Sequence, residues 1–107
     1  MSCTRVPLAS LPWASGGHPL ERKKTGGHPA ITLLEFAPGF DDSNWCRRAH
    51  AIYVLNGVLT FELESGLVQI AEGESCVIDA GTAHRAQNHG DEMVVAFVYS
   101  DNGEIED

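Results

Sequence analysis

The sequence predicts an all-β protein, a small antiparallel barrel or jelly roll, and three observations lead to this fold class. Short apolar runs recur at regular spacing from residue 30 onward. Turn-forming residues, chiefly Gly, Asn, Asp and Pro, separate one run from the next. No segment carries the apolar stripe of an amphipathic helix over a useful length. Closing such a set of strands into a barrel also removes exposed edges that would favour aggregation.

The apolar runs predict seven strands in chain order. Residues 31–36 end at a Pro-Gly turn, and residues 58–64 alternate apolar and polar side chains, so one face is buried and the other is wet. Asn56-Gly57 predicts a tight hairpin after the second strand, since both turn positions then require positive φ. The predicted strands cover residues 31–36, 51–55, 58–64, 67–70, 75–78, 84–87 and 93–99.

The 107 residues suffice for one domain. Residues 1–29 contain four prolines and two Gly-Gly pairs, which predicts an irregular N-terminal segment. Residues 30–100 form the predicted barrel domain, and residues 101–107 form an acidic tail.

Charge and composition restrict the partners and the compartment. The net charge is −8, and the acidic residues lie almost entirely after residue 30, so nucleic acid is a poor partner. No apolar run is long enough to cross a bilayer, and the first residues lack the apolar core of a secretory signal. The three cysteines are widely spaced and odd in number, which fits a reducing compartment. We therefore expect a cytoplasmic protein without a membrane partner.

Residues 73–88 resemble the second sequence signature of the cupin superfamily. That signature is Gly, five residues, Pro, one residue, Gly, two residues, His, three residues, Asn. Gly73, Gly81, His84 and Asn88 stand at the required spacings, and Asp79 replaces the proline. The resemblance covers about residues 31–99 and implies a small single-domain cupin with a double-stranded β-helix barrel. Gly81 is expected to supply a positive φ before His84, and Asn88 to have a structural role in a turn.

The first cupin signature is present in altered form. With Gly57 as its last position, His50 stands where the family has a glutamate ligand, and Asn44 and Cys46 stand where it has two histidines. The family's set of three histidines and one carboxylate is therefore absent. The resemblance implies instead that His84, His50 and Cys46 lie together inside the barrel.

Thiolate and imidazole groups predict a divalent metal site at these three residues. Such ligands suit zinc best, and nickel or iron also accept them. Residues four apart on a straight strand are about 13 Å apart, so Cys46 and His50 could share an ion only if the chain bends at residues 47–49. The competing interpretation is that the cysteine and the histidines only pack or hydrogen-bond in the core.

Three functions are compatible with this pattern. The first is a small cupin that binds a divalent metal, a small polar ligand, or both. The second is a metal-dependent oxygenase, lyase or isomerase acting on a small carboxylic or sugar-like substrate. The third is a metal-free binding or structural module. Whether the chain is an enzyme stays open, because a fold does not fix a function. A homodimer is expected, since a short chain gains stability from self-association.

Overall fold

The computed structural model describes residues 3–27 and 31–100 and confirms the all-β fold class. One short 3-10 helix, Leu8–Ser10, precedes nine strands. The strands are β1 Ala14–Ser15, β2 Glu21–Gly26, β3 Ile31–Phe36, β4 His50–Asn56, β5 Val58–Leu63, β6 Gly66–Ala71, β7 Ser75–Ile78, β8 His84–Gln87 and β9 Val94–Ser100.

The strands form two antiparallel sheets. The larger sheet has the order β1-β2-β3-β9-β4-β7, and the smaller has the order β6-β5-β8. Apolar side chains from both sheets form the core between them, including Phe36, Val54, Leu59, Val94 and Ala96. The alternation seen in the sequence produces this core, because every second side chain on a strand points to the same face.

The N-terminal segment was expected to be irregular, but much of it has regular structure. Within residues 3–27 it contains a short 3-10 helix and two strands, and β2 pairs along its whole length with β3. Residues 14–15 add a short outer strand to β2. Strand β2 was not predicted because its sequence, ERKKTG, has no alternation of apolar and polar residues. The buried Lys24 is covered instead by the preceding segment, where its Nζ donates to the Leu8 and Ala9 carbonyls.

The hairpin predicted at Asn56-Gly57 is wrong. β4 belongs to the larger sheet and β5 to the smaller, so the chain changes sheets at Gly57. Gly57 has φ of 78°, whereas no described non-glycine residue has a positive φ. The pairing of β4 with β9 also shifts register between Val54 and Asn56. A bulge followed by one glycine therefore turns this corner, instead of two positive-φ residues.

Among the described residues, no helix is long and apolar enough to span a membrane.

Candidate metal centre

Cys46 and His84 are linked by a pair of backbone hydrogen bonds. The segment from Asp41 to Cys46 runs antiparallel beside β8, with isolated bridges from Asp41 to Gln87 and from Cys46 to His84. The Cys46 N–H donates to the His84 carbonyl, and the His84 N–H donates to the Cys46 carbonyl, both at 2.9 Å. This reciprocal pair fixes the two residues side by side although they are far apart in sequence.

His50 joins the pair because the chain bends between Cys46 and β4. Residues 47–49 are not part of a strand, and His50 is the first residue of β4. The bend is attached to the turn before β8, since the Gly81 N–H donates to the Arg47 carbonyl at 2.9 Å and Arg47 Nη1 donates to the Gly81 carbonyl at 3.2 Å. The bend before His50 and the turn before His84 are therefore held together. The bend expected at residues 47–49 is present.

The three predicted ligands lie within reach of one ion. One ligand atom from each of Cys46, His50 and His84 lies within 4.8 Å of the other two. Cys46 Sγ and His50 Nε2 are 3.5 Å apart. The two imidazole rings have centroids 5.2 Å apart and planes at 85°. Both histidines therefore point to the same place in the barrel.

Hydrogen bonds orient each ring with Nε2 toward the centre. His84 Nδ1 lies 2.8 Å from the Thr82 carbonyl, which can only accept, so Nδ1 carries the proton and the neutral ring has an unprotonated Nε2. His50 Nδ1 lies 3.1 Å from Ser100 Oγ, its neighbour across the β4–β9 ladder. Such a partner on the second nitrogen is the usual way in which a metal-binding histidine is positioned.

These residues fit a divalent ion of the zinc type. With zinc bonds of about 2.3 Å to sulfur and about 2.0 Å to nitrogen, tetrahedral ligands lie about 3.3–3.6 Å from one another. The distance between Cys46 and His50 already lies in this range. A contraction of about 1 Å brings the longest separation in the cluster close to it.

The electrostatics favour a thiolate at the centre. Hydrogen bonding to the His50 ring, and then to the His84 ring, lowers the pKa of the Cys46 thiol to about 6. Burial lowers the pKa of His84, but hydrogen bonds to Cys46 and the Thr82 carbonyl outweigh it, so the net pKa of His84 is raised. Cys46 is therefore largely ionised at neutral pH, which is the form that binds metals.

A cavity of about 150 Å³ opens beside the three residues. Its walls come from both sheets and are mostly apolar. They include Leu34, Phe36, Ile52, Leu59, Phe61, Ala86, Ala96 and Val98. The cluster therefore forms a polar part of the wall of a mostly apolar cavity.

Two acidic residues in the cavity wall carry no signal that sequence reasoning could have used. Glu21 is the first residue of β2, a strand that was not predicted, and Asp42 lies in the segment beside β8. Neither belongs to a cupin signature. Only the pairing of β2 with β3 and of residues 41–46 with β8 brings them to the cavity.

Neighbouring signature residues have structural roles. Gly81 has φ of 91°, which confirms the expected positive φ before His84. Asn88 is buried, and its Nδ2 donates to the Phe36 and Glu92 carbonyls, while its Oδ1 accepts from the Gly90 N–H. Arg85 and Gln87 alternate with His84 and lie on the face away from the cavity. Gln87 is nevertheless buried there and donates to Glu62.

Comparisons with known proteins agree with this fold. The family model for the cupin domain matches residues 32–100. A sugar phosphate isomerase of the cupin superfamily from Silicibacter pomeroyi DSS-3 has a similar structure, with a TM-score of 0.75 and 16% identity, covering 92% of this chain and 76% of that chain. No curated protein matches the sequence.

Two further solved structures share the fold at low identity. The polyketide cyclase RemF from Streptomyces resistomycificus has a TM-score of 0.76 and 18% identity, covering 92% of this chain and 79% of that chain. KdgF from Halomonas sp. has a TM-score of 0.68 and 22% identity, covering 86% of this chain and 89% of that chain. At such identities the likeness concerns the fold alone. The match of the family model over most of the chain and the barrel itself show that this protein belongs to the cupin domain family.

Proposed function

We propose that this protein is a small cupin that binds a divalent metal ion through Cys46, His50 and His84 and presents it to a small ligand in the barrel. The observation that carries the proposal is the convergence of one sulfur and two nitrogen atoms within 4.8 Å at the end of a cavity. The backbone bonds between Cys46 and His84 and the low pKa of the Cys46 thiol support it.

Zinc is the ion we favour. Its preference for sulfur and nitrogen ligands in a tetrahedral arrangement fits one thiolate and two imidazoles, and nickel or iron are the other candidates. When bound, a divalent ion supplies Lewis acidity to a ligand in the neighbouring cavity. The chain itself holds the two imidazoles by their Nδ1 atoms and provides apolar walls beside them.

A metal-dependent enzyme is the alternative, in the form of an oxygenase, lyase or isomerase. The cavity that adjoins the candidate ligands favours it, since a reaction needs room for a substrate beside the ion. Oxygenase chemistry is the least supported of the three, because the ligand set lacks the carboxylate that commonly accompanies histidines at non-haem iron. A redox-active metal in the purified protein would support the enzyme.

The test of metal binding is elemental analysis followed by zinc titration in a calorimeter. We expect one zinc per chain and a loss of affinity of about tenfold or more in Cys46→Ser, His50→Ala and His84→Ala, as removal of a ligand or its support requires. Circular dichroism of each variant establishes that the barrel is still folded, so that weak binding is not confused with unfolding.

Cys76→Ser and His89→Ala are the matched controls. Cys76 is a free thiol of burial similar to that of Cys46, and His89 hydrogen-bonds to Gln87 on the far side of β8 from the cavity. Both controls should bind zinc like the unaltered protein. Folded protein that binds no divalent ion at neutral pH would contradict the proposal and favour the metal-free module.

The cytoplasmic location is also part of the proposal. All three cysteines are free, and a thiolate in the site requires a compartment that keeps it reduced. A fluorescent fusion expressed in the source cell tests it, and accumulation outside the cytoplasm would contradict it.

A further inference from the structure

The polar groups of the cavity are few. Apart from Cys46, His50 and His84, the polar side chains of its described lining are Glu21 and Asp42. Two of the four imidazole nitrogens are already engaged, by the Thr82 carbonyl and the Ser100 hydroxyl. A molecule with several hydroxyl groups would therefore lose hydrogen bonds to water without gaining equivalent partners, which is costly for each unpaired group.

The charges of the cavity disfavour an anionic ligand. Glu21 and Asp42 are both acidic, and no lysine or arginine lines the cavity in the part of the chain that the structure describes. The residues outside that part contain no lysine or arginine in the sequence. A phosphate or carboxylate would thus enter a region of its own charge.

The size of the cavity restricts the ligand further. The cavity has a volume of about 150 Å³. In another, engineered protein, a cavity of about this volume lined by leucine, isoleucine and phenylalanine side chains binds one benzene molecule. The walls here have similar chemistry, with Leu34, Ile52, Leu59 and Phe61 among them. A sugar phosphate is far more polar than the walls of the space beside the cluster.

From these three properties we infer that the cavity takes a compact, uncharged, largely apolar molecule that directs a single polar atom at the Cys46–His50–His84 cluster. This inference rests on the proposed function, because the cluster is where that atom would bind. It differs from the small carboxylic or sugar-like substrate expected from the sequence. Carboxylated or phosphorylated sugars are excluded by the acidic groups and by the apolar walls.

Phenol, benzoate and ribose 5-phosphate are suitable probes for the test. Phenol and benzoate share a ring and differ in charge, and ribose 5-phosphate represents a polar anion. Each is titrated into metal-free and zinc-loaded protein while the methyl resonances of Leu34, Ile52 and Leu59 are followed by NMR. The exposed Leu67 on β6 reports binding elsewhere.

We expect phenol to give saturable shifts of the cavity methyls but not of Leu67 in both forms of the protein. Benzoate should bind at least about tenfold more weakly, equivalent to about 1.4 kcal/mol, and ribose 5-phosphate should give no saturable shift. Phenol binding no tighter than benzoate or ribose 5-phosphate, or absent from the cavity, would overturn the inference.

A charge-neutralised variant, Glu21→Gln with Asp42→Asn, tests the role of the acidic groups. Asn at position 42 keeps the oxygen that accepts from the Asn44 N–H. We expect the affinity for benzoate to rise several-fold relative to the affinity for phenol. Glu72→Gln, at an exposed site after β6, is the control and should change neither. Equal benzoate affinity in a folded double variant and the unaltered protein would contradict the charge argument.

The two proposals fail in different ways. A protein that binds no zinc but takes up phenol in the metal-free state would overturn the proposed metal function and retain the ligand class. A protein that binds zinc at the cluster and ignores phenol in both states would overturn the ligand class alone.

Discussion

The two partly buried cysteines show how much the surroundings of a residue decide its chemistry. Cys46 and Cys76 are both free and of intermediate exposure. Hydrogen bonding to two imidazole rings lowers the pKa of Cys46, whereas burial raises the pKa of Cys76. The sequence indicated Cys46 as a candidate metal ligand at an altered signature position but did not indicate its acidity. The difference in acidity comes from side chains that the fold brings together.

Alkylation of metal-free protein by iodoacetamide should separate the two thiols by pH. Only the thiolate reacts, so the rate at Cys46 should rise through a midpoint of about 6 and level off near neutral pH. The rate at Cys76 should still be rising at the alkaline end of the profile, because its pKa is raised. Mass spectrometry of peptides after timed quenching measures both rates. A Cys46 profile that, like that of Cys76, still rises at the alkaline end would contradict the account of its surroundings.

The strands were predicted well where one face of the strand packs in the core and apolar residues therefore alternate with polar ones. The seven predicted strands correspond to β3 through β9, and those at residues 31–36, 75–78 and 84–87 have the predicted bounds. Most of them have apolar residues at alternate positions, such as Leu34 and Phe36 in β3, because one face is buried in the core. β2 was missed because it lies toward the edge of the sheet and covers its one buried polar side chain, Lys24, with carbonyls of the N-terminal segment.

The site was predictable only in part, for a different physical reason. The cupin signatures indicated Cys46, His50 and His84, but their approach depends on the bend at residues 47–49 and on bonds across sequence distance. Glu21 and Asp42 could not be found, since strand pairing alone brings them to the cavity. The Asn56-Gly57 corner also depends on tertiary context, because a side chain at position 57 would meet Met93 of another loop.

A set of three glycine substitutions tests the corner between β4 and β5. A Cβ at Gly57 would lie 2.8 Å from the Met93 carbonyl oxygen, and the residue has φ of 78°. Gly57→Ala should therefore lower the free energy of unfolding by ~1–3 kcal/mol or more, from strain and overlap together. Thermal and urea unfolding measure the loss.

Gly73→Ala and Gly17→Ala are the matched comparisons. Gly73 has φ of 85° but no neighbour within 4 Å of an added Cβ, so its substitution should lower stability through backbone strain alone. Gly17 has an ordinary φ and open space, and its substitution should be nearly neutral. We expect the order Gly57, Gly73, Gly17 from largest to smallest effect. An alanine at position 57 as well tolerated as one at position 17 would show that the corner is not constrained.

At the scale of the whole molecule, the larger sheet has an exposed apolar patch on the outer face of β4, β7 and β9 as well as an apolar inner face. Ala51 pairs with Val77 and Tyr99 across the strands, and these three side chains lie on the outer face. The neighbouring row of His50, Ile78 and Ser100 points to the inner face. Val77 is 77% exposed and Tyr53, on the same face, is 44% exposed. We propose that a second copy of the chain covers this face, because a two-fold interface brings identical apolar patches together.

Light scattering coupled to gel filtration tests the homodimer. We expect a mass of twice 11.6 kDa at micromolar concentration. Val77→Lys should shift the protein toward the monomer by placing a charge in the interface, and Leu67→Lys, at an exposed apolar residue of the smaller sheet, should not. A monomer at all accessible concentrations, or equal effects of both substitutions, would contradict the proposed interface.

The central claim is that barrel closure brings Cys46, His50 and His84 to one metal ion. Cobalt(II) titration followed by visible absorption tests it most directly, since a cobalt–thiolate bond gives a charge-transfer band and a tetrahedral site gives intense ligand-field bands. We predict both signals at one equivalent of cobalt, loss of the charge-transfer band in Cys46→Ser, and its retention in Cys76→Ser. A folded protein in which cobalt gives neither signal, or in which Cys46→Ser leaves the charge-transfer band unchanged, would contradict the account.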